Sequence, residues 1–306
     1  KKILYTGFCA ATFFIQLVTA YILGFFLFVI TKPSQKKRLW FHRYNCSVFR
    51  FDIKRMPGIK FVFDNNYLER FDKPAVIICN HQSLLDSFCM MFLSPKVILL
   101  ANEHIRVNPI IRIIFKWSNF MSVSDGASNI VDKLKSLVSE GYSIAIFPEG
   151  ERPETGLCKV MRFHKGAFHI AAELNLDIIP VYFYGLTEIM PKGSALSNGG
   201  TMYIGVGKRV PIEKIREIGD LACQARILRN HYKEHLAMIH KQIMTPKEVA
   251  SIAFEKYLYK GREIEISASK MIKNILSNCD ALSTINPSRP IFVRDIIGYG
   301  EISLIL

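Results

Sequence analysis

Absences narrow this chain before any motif is read. From Ile3 to Ile30 there is not one charged residue, and a run that long is foreign to the surface of a soluble domain. Cysteine is sparse and unpaired: seven residues, Cys9, Cys46, Cys79, Cys89, Cys158, Cys223 and Cys279, with no C-x-x-C spacing among them. An odd, scattered set excludes a disulfide framework and a zinc ribbon, and it reads as reduced thiols, several of them in the core, of a reducing compartment. Acidic residues are in deficit, 26 against 40 Lys and Arg, for a formal charge of +14 and a pI near 9.4. Such a balance calls for an anionic partner. Basic residues are not interleaved with aromatics in any nucleic-acid module, so no nucleic acid is expected. No internal repeat or low-complexity tract is present, which excludes a solenoid, and half of the residues are apolar, which excludes disorder for most of the length.

The apolar run is long enough as a helix to cross a hydrocarbon core of roughly 30 Å, which takes about 20 residues. It is too long for a secretory signal and lacks a small-x-small cleavage pattern. Lys32, Lys36, Lys37, Arg38 and Arg43 follow it. Under the positive-inside rule that flank stays cytoplasmic, against an anionic membrane surface, with Trp40, Phe41 and Tyr44 as an interfacial belt. Residues 1–45 are thus expected to be a membrane anchor with a basic flank, and the catalytic domain to lie on the cytoplasmic side.

Beyond the flank, short apolar runs alternate with helical periods. Alternation from Phe49 to Phe63 predicts two strands joined at Pro57-Gly58. Ala75–Cys79, Val97–Ala101, Ser143–Phe147 and Asp177–Tyr184 read as further strands, the last interrupted by Pro180. Helical stretches are predicted at 83–91, 109–120, 129–140 (ended by Gly141), 168–174 and 211–240. The fold class this predicts is α/β, with a largely parallel central sheet flanked by helices and preceded by a transmembrane or membrane-embedded helix. Residues 46–243 are expected to form one domain. Residues 244–306 are expected to be a helical linker, with helices from Thr245 and over 264–277, and at 291–306 the truncated start of a nucleotide-binding unit, the Gly298-Tyr299-Gly300 turn resembling the first motif of S-adenosylmethionine-dependent methyltransferases.

Two polar clusters sit at strand ends, where open α/β sheets place their ligands. The first is Asn80-His81 followed five residues after the histidine by Asp86; the second is Phe147-Pro148-Glu149-Gly150-Glu151-Arg152. A histidine with a carboxylate in reach is a general base with its tautomer fixed. A hydroxyl becomes a competent nucleophile once such a base takes its proton. His231-Tyr232-Lys233-Glu234-His235 has an H-x-x-E-H spacing, but on a charged helix with no third ligand it reads as a solvated face, and no metal is expected.

The two clusters, with Ile179-Pro180-Val181 after them and Lys165-Gly166-Ala167-Phe168 between, resemble the glycerol-phosphate and lysophospholipid acyltransferase family over about Phe63 to Val206. The resemblance implies transfer of a fatty acyl group from acyl-CoA or acyl carrier protein, as donor substrate with no bound cofactor, to the hydroxyl of a membrane lipid of the lysophosphatidate kind. It assigns catalysis to His81 and Asp86, acceptor binding to Glu149, Gly150 and Arg152, and supporting roles to Asn80, Lys165, Gly166 and Pro180. A thiolate leaves readily, so Ser83 and the cysteines should be dispensable for chemistry, and backbone N–H groups at the start of the next helix are candidates for the oxyanion.

The chain departs from the family pattern in two places. Glu151 stands where Thr is usual, and Phe120-Met121-Ser122-Val123 lacks the Arg of the second block; Arg106, Arg112 or Lys116 are the candidates to compensate. Both departures reduce cationic character where an anionic acceptor would sit. An acceptor without a phosphate monoester is therefore the first alternative. A non-catalytic lipid- or carrier-binding module of a larger membrane polypeptide, such as an exporter, acyltransferase and methyltransferase fusion, is the second.

Overall fold

The structure is a computed structural model and describes residues 2–83, 85–101, 117, 121–122, 127–152, 160–190 and 199–243. The chain divides into a compact unit, Lys1–Leu236, and a second, Ala237–Leu306. Only 237–243 of the second are among the described residues. The helix expected at 109–120, apart from Trp117, the cations Arg106, Arg112 and Lys116, and everything expected after 243 lie outside them.

Helix α1, Lys2–Phe25, continues as a π-helical turn, Phe26–Ile30. Within it Ala10–Ile30 has mean hydropathy 2.4 and is long and apolar enough to cross a membrane by length and composition. Phe14, Ile15, Ile22, Phe26 and Val29 project outward, each more than half exposed. The opposite face is docked: Ala20, Phe28 and Phe41 cluster with Leu23, Leu27 and Trp117. Trp117 stacks on Phe28 at 5.8 Å and lies so close to Gly24 that a Cβ there would meet its ring at 2.1 Å. Gly24 is thus what lets the helix approach.

Helix α2, Gln35–Ile53, starts at Ser34, whose hydroxyl accepts from the Lys37 amide. It runs five residues into the stretch that the alternating pattern predicts as a strand, so only the second of the two strands expected between Phe49 and Phe63 exists: β1, Ile59–Asp64. The reason is the spacing of the larger set of apolar positions. His42, Cys46, Phe49 and Ile53 fall on one helical face, and all but half-buried Phe49 are almost wholly enclosed. Phe49 stacks on Phe88 at 5.4 Å. Arg50 donates to the Phe92 and Leu93 carbonyls at 2.8 and 3.0 Å, capping the end of the next helix.

The remaining elements are β2 (Val76–Cys79), α3 (Leu85–Leu93), β3 (Val97–Ala101), β4 (Met121–Ser122), α4 (Ala127–Ser139), β5 (Ser143–Ile146), α5 (Gly166–Glu173), β6 (Ile178–Tyr184), α6 (Leu186–Ile189), β7 (Gly200–Val206), α7 (Ile212–Glu217) and α8 (Leu221–Ile243). The helical stretch expected at 211–240 is two helices, broken at Gly219, where φ is +119°. Strand β6 is not interrupted by Pro180, which pairs in register with Ile78 of β2 and accepts from the Gly207 amide at 2.8 Å.

Among the described residues the sheet has seven strands in the order β1-β7-β6-β2-β5-β3-β4, parallel throughout except for β6 against β7. The fold is α/β and largely parallel, as the alternation predicts. Strands β2 and β5 are completely buried, and their apolar side chains, each worth about 1.5–3 kcal/mol on burial, form the centre of the core with β6 and α3. From adjacent β2 and β5 the chain leaves in opposite directions: β2 leads to β3 beyond β5, and β5 leads to β6 beyond β2. That is a topological switch point, and the crevice at its carboxyl edge is where a ligand fits.

Candidate active site

The end of β2 is fastened before the histidine is reached. The Asn80 amide group bridges to β6, donating to the Phe183 carbonyl at 2.9 Å and accepting from the Phe183 N–H at 2.8 Å. The Asn80 backbone N–H donates to the Tyr232 hydroxyl at 2.9 Å. That hydroxyl in turn has two acceptors in reach, Asn80 Oδ1 at 2.8 Å and the Val181 carbonyl. Tyr232 is 1 % exposed, so its hydroxyl is bound to these partners rather than to water.

His81 then enters the crevice. Its Nδ1 lies 2.7 Å from Asp86 Oδ2, and its ring stacks on Phe147, at the end of β5, with centroids 4.2 Å apart and 14° between planes. Asp86 is 0 % exposed in the first turn of α3. The same Oδ2 accepts from the Ser83 amide at 2.8 Å and from the Gln82 amide. Two backbone donors on that oxygen make it an acceptor, so Nδ1 carries the proton and Nε2 holds the free lone pair. Burial pushes the Asp86 carboxyl above the usual carboxylate range, offset in part by the His81 hydrogen bond and the two amides.

Glu149 supports His81 from the other strand. Its Oε1 accepts from the His81 N–H at 3.0 Å and its Oε2 from the Met161 N–H at 2.6 Å. Burial raises this carboxyl too, and the Met161 and His81 amides pull against that. Both oxygens face backbone amides and the residue is 2 % exposed, which suits a strut shaping the site more than a group touching an acceptor. Gly150 turns the loop outward with φ of +75°, and a Cβ there would meet His164 Cδ2 at 3.2 Å. Arg152 is half-buried past the turn, and its guanidinium meets no carboxylate among the described residues.

The structure therefore brings together Asn80, His81, Asp86 and Glu149, and leaves others aside. Lys165 and Gly166 open α5, and Pro180 packs beside Gly207 in mid-β6. His231 and Glu234 are exposed, 3.9 Å apart, and His235 lies against Tyr182. The described residues contain no cluster of His, Cys, Asp and Glu able to hold a metal. The amides of Gln82, Ser83, Leu85 and Asp86 are all engaged locally, so these N–H groups of the helix start are taken by the fold rather than offered to an oxyanion.

Among the described residues, the thiols of β2 and α3 and the Ser83 hydroxyl are disabled as nucleophiles. Cys79 and Cys89 are fully buried, and desolvation pushes their thiols well above the normal range; a thiol without its thiolate is inert. The Ser83 hydroxyl donates to the Met190 carbonyl at 3.0 Å and is wholly buried. Two structural contributors stand inside the motifs but are given no role by them. Phe147 gives no signal of stacking. Tyr232 does give one: Ala225, Leu228, Tyr232 and Leu236 form the buried stripe of a charged helix, and a tyrosine on such a stripe must find a partner for its hydroxyl.

A histidine oriented by a buried carboxylate at the switch point of a parallel sheet, with neighbouring thiols and hydroxyl disabled, is an arrangement suited to activating an incoming nucleophile rather than supplying one. A family model described as Acyltransferase matches residues 60–184. It is 30 % identical to the 1-acyl-sn-glycerol-3-phosphate acyltransferase LPAT1, chloroplastic, of Arabidopsis thaliana, over 66 % of this chain and 56 % of that protein. It is 27 % identical to the 1-acyl-sn-glycerol-3-phosphate acyltransferase beta of Homo sapiens, over 45 % of this chain and 51 % of that protein. The chain spans about half the length of the curated relatives it matches. Its fold matches the crystal structure of the 1-acyl-sn-glycerophosphate acyltransferase PlsC of Thermotoga maritima with a TM-score of 0.59 at 20 % identity, covering 79 % of this chain and 95 % of that one.

Proposed function

We propose that this chain is an O-acyltransferase that moves a fatty acyl group from a thioester to the hydroxyl of a lysophosphatidate-like glycerolipid at a membrane surface. The observation that carries this reading is the 2.7 Å contact of His81 Nδ1 with buried Asp86, which leaves Nε2 as the ring nitrogen that Asp86 does not engage. His81 Nε2 takes the acceptor hydroxyl's proton as that oxygen attacks the thioester carbonyl carbon. The C–S bond then breaks, the sulfur leaves with the electron pair, and the imidazolium returns the proton to it, giving ester and thiol. Asp86 stabilises the imidazolium formed on the way. The apolar helix Ala10–Ile30 and the exposed cations Lys32, Lys36 and Arg43 behind it suit an anchor in a bilayer with an anionic leaflet, the catalytic domain on the cytoplasmic side. Arg152 is the group suited to fork an acceptor phosphate.

Glu151, exposed beside Arg152, favours a second reading in which the acceptor lacks a phosphate monoester. The purified chain in detergent, given an acyl thioester and a panel of lysophosphatidate, lysophosphatidylcholine and monoacylglycerol, separates the two. Turnover of lysophosphatidate at least tenfold above the others supports the first. Turnover of monoacylglycerol alone supports the second, and none with any acceptor contradicts both.

A further inference from the structure

A second concavity lies beside the site, and the mechanism above makes no use of it. It is a groove of about 450 Å³ between the segment 162–165 and the start of α8, lined by Arg162, Lys165, Arg226 and Arg229, with Asp220 the one carboxylate among the described residues that line it. Phe163, Ala222, Cys223 and Ala225 give it an apolar floor. Phe163 is held in place by an edge contact with Tyr232, centroids 5.6 Å apart. Four cations against one carboxylate is a strong local excess. Arg162 and Arg226 are exposed. Arg229 spends its donors on the Met161 and Val160 carbonyls and keeps its charge uncompensated by any carboxylate among the described residues.

The groove is coupled to the catalytic pair by short steps. Arg229 holds the carbonyl of Met161, the Met161 N–H donates to Glu149, and Glu149 accepts from the His81 N–H. A ligand seated among the arginines therefore lies one loop's width from the crevice. Its volume suits a small molecule, and a concave apolar floor ringed by cations suits a flat ring carrying phosphates: guanidinium groups fork phosphate oxygens and stack on ring faces. The convex acidic helix of a carrier protein would meet the rim and leave the floor empty.

We propose that this groove binds the phosphorylated adenine nucleotide end of an acyl-coenzyme A donor, so that the pantetheine arm runs past segment 160–165 to deliver the thioester to His81. The proposal rests on the acyl-transfer reading for its purpose but not for its binding test. Adenosine 3′,5′-bisphosphate is titrated calorimetrically into the parent protein and into an Arg162→Ala/Arg226→Ala variant, both side chains being exposed and clear of the hydrogen bonds that hold the loop. Inorganic phosphate and acyl carrier protein are run as separate arms. The expected result is saturable binding of the nucleotide that weakens about tenfold in the variant, far tighter than inorganic phosphate, and an equal loss in the preference for acyl-coenzyme A over S-acyl-N-acetylcysteamine, which has no nucleotide. Nucleotide binding equal in parent and variant overturns the proposal, as does a groove that takes only acyl carrier protein or binds phosphate and nucleotide alike. Binding as expected in a parent that transfers no acyl group from any thioester would sink the acyl-transfer reading and leave the nucleotide groove standing.

Discussion

Two strand ends meet at the switch point of this sheet, and they do opposite jobs with similar residues. At the end of β2 a carboxylate, Asp86, reaches a side chain: it holds the His81 ring. At the end of β5 a carboxylate, Glu149, reaches only backbone, binding the amides of His81 and Met161. The first sets which nitrogen of the imidazole is free, and the second sets where the imidazole stands. Both are buried at a cost that shows in their raised carboxyls. The pairing teaches that a conspicuous acidic residue in a strand-end motif need not face the substrate. Here the second cluster turns outward only beyond Gly150.

The contrast can be broken, or sharpened, by substitution. The largest effect is expected at the β2 end. His81→Ala removes the proposed base and should lower acyl transfer by about 10²–10⁴-fold, with the far-ultraviolet circular dichroism unchanged. Asp86→Asn leaves the shape and alters the tautomer, for a loss of about 10²–10⁴-fold in kcat. Because burial holds the folded-state Asp86 carboxyl above its unfolded value, its ionisation is opposed by folding: the stability at stake is present at low pH and lost as pH rises through the folded value. Asp86→Asn should therefore melt no lower than the parent at neutral pH, and a large drop in Tm would contradict this.

At the β5 end the order reverses, stability before chemistry. Glu149→Ala strands two partly buried N–H groups and should cost roughly 2–4 kcal/mol by denaturant titration, with activity falling through misplacement of His81. Tyr232→Phe removes the hydroxyl that receives the Asn80 N–H. The expected cost is about 1–2 kcal/mol, with a few-fold loss in kcat and little change in KM, and restored activity would not follow from raising substrate.

The smallest effect on activity is expected at a histidine away from both ends. His42 is 1 % exposed on α2, and burial lowers its pKa to about 4, against a smaller opposing hydrogen bond from Val97. The unfolded chain binds a proton there near pH 6.5 and the folded one does not, so stability is full above that value and lost as pH falls towards 4, by about 3 kcal/mol in all. His42→Leu should flatten that acid slope while leaving acyl transfer at neutral pH as it is. A slope equal to the parent's would assign the acid sensitivity elsewhere.

How much of this could be read from the residues depends on the range of the forces involved. Buried runs such as Ala75–Cys79 and Ser143–Phe147 declare themselves locally, as do the α/β order and the proximity of His81 to Asp86, one turn apart across a helix start. Phe49–Ile53 misleads because a two-residue alternation lies inside a helical period, and the deciding contacts, Phe49 on Phe88 and Arg50 on the Phe92 carbonyl, come from a distant part of the chain. The direction of Glu149 is illegible for the same reason. Nothing near it in sequence says that the amide of His81, on another strand, would need an acceptor. Tyr232 stands in plain view within an H-x-x-E-H spacing that draws attention to its two histidines and away from the buried hydroxyl between them.

His81 and Asp86 are proposed to act as one unit on the acceptor hydroxyl, and a double-mutant cycle on transfer from acyl-coenzyme A to lysophosphatidate reads that coupling. If the claim holds, His81→Ala/Asp86→Ala loses no more rate than His81→Ala alone, because an orienting carboxylate has nothing left to orient. If the two losses multiply, Asp86 works on the reaction independently of His81, which contradicts an orienting role.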